Sequence, residues 1–351
     1  MARVSVGVDI GATAVRAAEI KLNPPTLVRV AQVPLPPGAV AAGEVRDPAA
    51  VGEALRDLWR AGKFRHREVV LGVGNQRVVV REVSLPSLPP KEFRASLPFQ
   101  VQEQLPIPID EAVLDYHVLQ EYQQEGRAMS RVLLAAAQKP MVEQIVAAAE
   151  AAKLVPVGLD IVPFAVVRAV GATEGLGLDV VTVGEEAVID IGADVTSICV
   201  HAAGVPRFVR ILSSGGAGIT DAIARTMGIE PDQAERLKRG EQTESGPEAA
   251  QQAAQIAQSR AAAFVDEIRS SLDFYLSQAP GARVGRVLVT GGGSKLAGLL
   301  ELLDQRLATE VARGHVFERV TPAVDLSPEA MEAAEPLLAV AVGLALPGTN
   351  G

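Results

Sequence analysis

The chain has little of several residue types, and each shortage removes a class of function. One cysteine, Cys199, in 351 residues rules out an intrachain disulfide and points to a reducing compartment. Cys199 lies in the apolar run VTSICV and reads as a packed core residue. Aromatic residues make up 3%, too few for platforms that stack nucleobases. The net charge is −9 without a Lys/Arg run, so the chain is poorly suited to a phosphodiester backbone and no nucleic acid is expected as partner. The four histidines, His66, His117, His201 and His315, lack ligand spacing, which argues against zinc. Leu337 to Leu346, the longest apolar run near the end, has ten residues, whereas a membrane span needs about 20. It reads as a packed closing helix. The N-terminus, MARVSVGVDIG, enters a strand pattern with no apolar leader or cleavage signal, so secretion is not expected. The protein is expected in the cytoplasm, with no direct membrane insertion.

What remains is an ordinary globular composition, 48% hydrophobic and 21% charged, long enough for two halves. The chain opens with VGVDIGATAVRAAE. Val4, Val6 and Val8 alternate as in a β-strand, Asp9 ends it, Gly11 permits a turn, and Thr13 to Glu19 returns as a second strand. A strand from Leu27 to Val33 and a Pro-rich surface loop follow. Asp47 and Pro48 then start a helix whose Val51, Leu55, Leu58 and Trp59 share one face. From Pro86 the pattern changes to helix, strand, strand, helix, ending near Val155 between Pro-rich borders. This reads as a small α/β subdomain (86–154) set into a first lobe core (1–85 and 155–180). A Gly-rich linker, GATEGLGLDVVTVGEE, separates the halves.

Beyond it the opening pattern recurs in AVIDIGADVTSICVHAAG, with Asp190, Gly192 and Thr196 set much as Asp9, Gly11 and Thr13 are. One such turn reads equally as an ordinary hairpin; two, each between strands, indicate an internal duplication. The second lobe core is expected over 187–230 and 282–331, with a smaller subdomain at 231–281. Within that subdomain the polar stretch GEQTESGPEAAQQ is expected to form a mobile loop before a long helix. VTGGG is expected to run directly into a helix, and Glu332 to Leu346 to form the last one, in a closing segment at 332–351.

The chemistry follows from the turns. Backbone N–H groups of Gly11, Ala12, Thr13 and Ala14, with the Thr13 hydroxyl, suit phosphate oxygens, and carboxylates at Asp9 and Asp190 suit a hydrated magnesium ion. Those two aspartates are the candidate catalytic and metal residues. Arg16, otherwise a surface strand arginine, would reach the same phosphates. Gly291, Gly292 and Gly293 let the backbone press against a flat base or sugar, or simply pack a helix. Glu235 and Lys238, spaced i, i+3, face one way and would hold ribose hydroxyls, though such a pair alone also reads as a solvated couple.

The order DIG turn, insertion, DIG turn, SGG loop, AERLK and VTGGGSKLAGL resembles the actin-like ATPase superfamily over nearly the whole chain. The insertion motif FQVQEQLPIPIDEAVLDYHVL, with LLAAAQKPMVEQ and EIRSSLDFYLSQ, resembles the PilM family of type IV pilus assembly proteins. The resemblance implies an α/β, two-lobed actin-like fold of duplicated RNase H-like domains, with the insertion mediating protein contacts. It implies ATP and Mg2+ as cofactors, and adds Gly215, Gly216, Asp194 and Lys295 to the nucleotide site, with 231–281 as the nucleotide lid. It further implies that the cytoplasmic N-terminal tail of a PilN-like inner-membrane protein binds between the first subdomain and the insertion, holding the protein peripherally at that membrane. Contacts with pilus assembly ATPases and self-association belong to the same expectation.

Three rivals share parts of this pattern. The division protein FtsA ends in an amphipathic membrane helix, whereas this sequence ends LALPGTNG. A sugar or acetate kinase needs a polar cluster for its second substrate, which the insertion does not offer. An Hsp70-type chaperone needs a peptide-binding domain after the ATPase. One departure matters for turnover. Actin-like ATPases usually carry Glu or Gln beside the helix that begins here near Pro163, where it orients the attacking water. This chain has Val162 there, with Asp160 two positions earlier. Losing such a base costs about 10² to 10⁴ in rate, so at most slow hydrolysis is expected.

Overall fold

The computed structural model describes residues 3–172, 184–241 and 246–348. Strand β1 (Val4–Ile10) turns into β2 (Ala14–Leu22), with Asp9 opposite Arg16 and Ile10 opposite Val15. Strand β3 (Pro25–Pro34) continues the meander. The Pro-rich stretch expected as a plain loop contains a small hairpin, β4 (Val40–Ala41) and β5 (Glu44–Val45). Helix α1 (Pro48–Ala61) begins where Asp47 accepts the Ala49 and Ala50 N–H groups, each at 3.0 Å. Such a cap contributes about 1 kcal/mol.

Next come β6 (Glu68–Val73), β7 (Val79–Pro86), α2 (Pro90–Val101), β8 (Ala112–Gln124), β9 (Arg127–Gln138) and α3 (Lys139–Ala151). The insertion is a three-stranded antiparallel sheet in the order β7-β9-β8, covered by α2 through Phe93, Leu97 and Val101. Its limits differ from the Pro-rich borders at both ends. β7, assigned from sequence to the lobe core, lies in the inserted sheet. Helix α3, assigned to the insertion, packs on α1 and sends Met141, Ile145, Ala148 and Ala149 into the core of the first lobe. Prolines mark where β7 ends and α2 begins, not where the chain leaves the lobe.

Strand β10 (Val155–Ile161) and helix α4 (Val162–Val170) complete the first half. Most of the Gly-rich linker, 173–183, lies outside the described residues. The second half contains β11 (Glu185–Ile191), β12 (Thr196–Ala202), β13 (Val205–Leu212), α5 (Gly216–Met227), α6 (Pro231–Lys238), α7 (Gly246–Gln278), β14 (Val284–Thr290), α8 (Leu299–Leu307), β15 (Glu310–Arg313), β16 (Thr321–Pro322) and α9 (Pro328–Ala345).

The two main sheets have one topology. The first runs β10-β6-β1-β2-β3 and the second β15-β14-β11-β12-β13, each with an antiparallel three-strand meander and two parallel strands beside its first strand. β16 adds to the outer edge of β3. This is the duplication that the two DIG turns indicated.

Three local expectations change. The polar stretch after Gly240 is already helical from Gly246, because Ala253 and Ala257 give α7 a buried stripe early; residues 242–245 lie outside those described. The three glycines open a single 3₁₀ turn, Gly292–Lys295, and α8 starts only at Leu299, after Gly298 at φ +75°. The last helix begins at Pro328, capped by Ser327, whose hydroxyl accepts the Ala330 N–H at 3.2 Å. As expected of a packed closing helix, α9 lies in the core with α4 and β1. A Cβ on Gly343 would sit 1.8 Å from the Ala165 carbonyl oxygen, so only glycine allows the two helices to meet.

Candidate functional site

Each DIG turn closes in the same way. The Gly11 N–H donates to the Ala14 carbonyl at 3.1 Å, and the Gly192 N–H to the Val195 carbonyl at 2.9 Å. Strand register fixes the equivalences: Ile10 pairs with Val15 as Ile191 pairs with Thr196, and Asp9 with Arg16 as Asp190 with Ser197. Thr13 therefore corresponds to Asp194, and Thr196 to Val15. This departs from the expectation for Thr196, which is fully buried with its hydroxyl donating to the Ser214 carbonyl at 2.7 Å. It fastens the strand to the next loop. Thr13 is exposed and Ala14 buried, with Gly11 and Ala12 between.

The carboxylates of Asp9 and Asp190 share one electrostatic environment. Burial pushes the Asp190 carboxyl up to about 7, and the neighbouring Asp9 charge adds to this, while Arg16 opposes it. Burial also raises Asp9, against its contact with Arg16, whose Nη1 lies 3.1 Å from Asp9 Oδ2. Arg16 Nε donates to Gln32 at 2.7 Å, so the guanidinium is held from two sides.

The SGG loop seats α5 on the second turn. Gly216 N–H donates to the Gly192 carbonyl at 3.0 Å and Ala217 N–H to the Ala193 carbonyl at 2.9 Å, with Gly215 pressed against both carbonyls. Glu235 and Lys238 meet as their spacing predicts, Nζ to Oε2 2.6 Å. They are not a free surface couple: Lys238 also donates to the Gly216 carbonyl at 3.0 Å and to Thr220 at 2.8 Å, and Thr220 donates to Glu235 at 2.5 Å. Burial works to raise the Glu235 carboxyl, but these donors outweigh it and hold it below its ordinary value.

On the other side, Gly291 at φ +84° closes over Asp190, whose Oδ1 would be 2.6 Å from any Cβ placed there. Gly293 abuts the Ile191 side chain and Gly292 lies near Leu337. The Gly291 N–H donates to the Pro336 carbonyl at 3.0 Å, and Lys295 donates to the Ala333 carbonyl, so α9 holds the Gly-rich loop. Burial lowers Lys295, and the cations Arg239, Arg16 and Arg313 lower it further. Arg16 thus acts both on the two aspartates and on Lys295 of the other lobe, and a cationic pair of this kind suits a polyanion.

Sequence reasoning named Asp194 and Asp160 but not the contacts that hold them, and it missed the Pro336 carbonyl. Asp194 Oδ2 accepts the Ala42 N–H of the small hairpin at 3.3 Å, across the lobes. The Pro336 carbonyl is a backbone group without a sequence signal. Asp160 forms an ion pair with Arg168, which also donates to the Gly343 carbonyl at 2.9 and 3.1 Å, and Asp160 Oδ1 accepts the Ile161 N–H at 2.7 Å. Val162 packs over Gly72 and Gly74. Neither residue brings a free base to the turn.

Comparison with known proteins agrees with this architecture. A solved PilM-PilN type IV pilus biogenesis complex has a chain 32% identical, covering 99% of both chains with a TM-score of 0.82. The ethanolamine utilization protein EutJ from Carboxydothermus hydrogenoformans is 16% identical over 98% of this chain and 90% of its own, TM-score 0.58. MreB5 of Spiroplasma citri bound to ADP is 11% identical over 97% and 94%, TM-score 0.52. These last two establish the actin-like fold alone. The family model for type IV pilus assembly protein PilM matches residues 7–349, and the chain belongs to that family.

Proposed function

We propose that the protein is a nucleotide-binding scaffold of type IV pilus assembly that holds Mg2+-ATP between its two acidic turns and binds the cytoplasmic tail of a PilN-like inner-membrane protein. The observation that carries the nucleotide reading is the half-buried pair Asp9 and Asp190 at matching places on like-built turns, with the Asp9 charge helping to raise Asp190. Two carboxylates with hard oxygen ligands fit a hydrated magnesium ion, and the fit explains why a chain would keep a carboxyl as perturbed as Asp190. Asp9 and Asp190 would hold the metal's water. The N–H groups of Ala12, Thr13, Ala193 and Asp194 would face phosphates, since those of Gly11 and Gly192 close the turns. Arg16 and Lys295 would add positive charge, and Gly291 to Gly293 would bound the base. When bound, magnesium supplies charge that offsets the phosphates.

ATP acts here as a brace more than as fuel, because Val162 has no group to orient water and Asp160 is spent on Arg168. The partner reading rests on the likeness to the PilM chain of the PilM-PilN complex. Contacts with assembly ATPases and self-association follow the same family expectation. Co-purification of the full chain with PilN-type tail peptides, with and without Mg2+-ATP, is the test. Retention of a tail peptide, with tighter binding in one nucleotide state and ATP intact over a single-turnover time course, is expected. No retention of any tail overturns the partner reading, and rapid hydrolysis overturns the brace.

A further inference from the structure

The hairpin Val40–Val45 replaces an expected loop, and its contacts are too specific for a simple connection. Its two turn residues, Ala42 and Gly43, both have positive φ, 50° and 74°. Gly43 is required: a Cβ would lie 2.5 Å from the Gly74 carbonyl oxygen and 3.3 Å from Val195 of the second lobe. The turn is thus wedged between the end of β6 and the second acidic turn, where the Ala42 N–H donates to Asp194.

The other arm of the hairpin reaches the insertion. Glu44, only 13% exposed, forms ion pairs with Arg77 Nε at 3.1 Å and with Arg46 at 3.0 Å, and accepts from buried Asn75 at 3.3 Å. Arg77 also donates to Gln138 at 3.2 Å. Arg77 lies two residues before β7 and Gln138 ends β9. Through Arg77, one carboxylate therefore links the hairpin to the segment that leads into β7 and to the end of β9, the two strands by which the insertion joins the first lobe.

We propose that the hairpin is an interlobe latch, through which occupancy of the second acidic turn is transmitted by Glu44 to the root of the insertion. A polyanion bridging the two turns draws Asp194 toward the first lobe and favours the latched arrangement. By reciprocity, anything that binds the insertion and prefers that arrangement strengthens nucleotide binding by the same factor. The proposal rests on the nucleotide reading, and the test separates the two.

The test is amide hydrogen exchange on the full chain, with and without Mg2+-ATP, beside equilibrium dialysis of labelled ATP. In the wild type, ATP is expected to slow exchange at Ala42 and at 75–79 by at least about fivefold, the lower end of ordinary coupling. In Glu44→Ala, ATP affinity and the slowing at Ala42 are expected to persist while the slowing at 75–79 is lost. Glu44→Gln, which keeps the size of the side chain, is expected to give an intermediate response. ATP binding with no slowing at Ala42, or an unchanged response at 75–79 in Glu44→Ala, overturns the latch alone. No ATP binding to the wild type overturns the nucleotide reading and the latch with it.

Discussion

Asp9 and Asp190 occupy the same place in two like-built turns, yet Arg16 stands opposite Asp9 and Ser197 opposite Asp190. Burial raises both carboxyls; at Asp9 the contact with Arg16 opposes it, and Asp190 is raised to about 7. A carboxyl whose folded pKa exceeds its unfolded value favours the fold below the unfolded pKa, and the advantage is lost as pH rises through the folded pKa. Without nucleotide, wild-type stability is therefore expected to fall between pH 5 and pH 8, by on the order of 2 kcal/mol. Asp190→Asn removes this titration, leaving that of Asp9, and is expected to lose less stability than wild type across that window and to be more stable than wild type at pH 8. Thermal unfolding at both pH values checks this, and equal slopes for the two proteins would refute it. The aspartates were legible in sequence because alternating strands on either side of DIG leave little freedom in where the acid falls. Thr196 was not. Matching it to Thr13 by residue type ignored register, which puts Asp194 in that place and a buried hydroxyl at 196.

Elements that carry their own periodicity were legible, and those defined by what packs on them were not. Helix α1 announced its start with Asp47-Pro48 and its face with Val51, Leu55 and Leu58, and it forms as expected. Helix α3 has a weaker apolar face, and nothing in it says that the face meets α1 and not the inserted sheet. The close approach of α9 to α4 depends on one missing Cβ. Gly343→Ala would force Ala165 and its backbone to shift, since the nearest oxygen lies 1.8 Å from the added atom. Overpacking of this kind typically costs about 1–3 kcal/mol. A fall in melting temperature of several degrees is expected, about 2–4 °C per kcal/mol. Gly348→Ala, with nothing within 4 Å, is expected to change little. Equal melting temperatures for Gly343→Ala and wild type would show that α4 and α9 can separate without loss.

The two lobes are joined unequally on their two sides. On the hinge side a continuous apolar core runs from Ala18 and Ile20 of β2 through Val166 and Val170 of α4 to Val188, Cys199 and Leu288 of the second sheet. Glu186 adds a polar clasp there, accepting from Ala172 N–H at 2.8 Å and from Arg286 Nε at 2.7 Å, with His201 at 3.1 Å. On the cleft side Ile211 and Val209 of β13, with Val195, pack against the first-lobe core, and beside them lie polar contacts, Ala42 with Asp194 and Glu82 of β7 with Arg207 of β13 at 3.3 Å. A partly exposed ion pair of that kind contributes about 0.2–1 kcal/mol. Moving a two-state equilibrium from mostly open to mostly closed takes about 5.5 kcal/mol. Under the proposed nucleotide-dependent closure, that ion pair biases the angle between the lobes without fixing it, whereas a ligand bound at micromolar strength would bring about 8 kcal/mol to be shared between states. Arg207→Glu places like charges across the seam, so the nucleotide-free variant is expected to scatter X-rays with a larger radius of gyration than wild type. The difference is expected to vanish in 1 M salt, where the screening length is about 3 Å. With Mg2+-ATP the variant is expected to close to the wild-type radius, because the bridging ligand outweighs one repulsive pair. A variant that stays open with ATP bound would mean that the insertion seam, and not the nucleotide, sets the angle between the lobes.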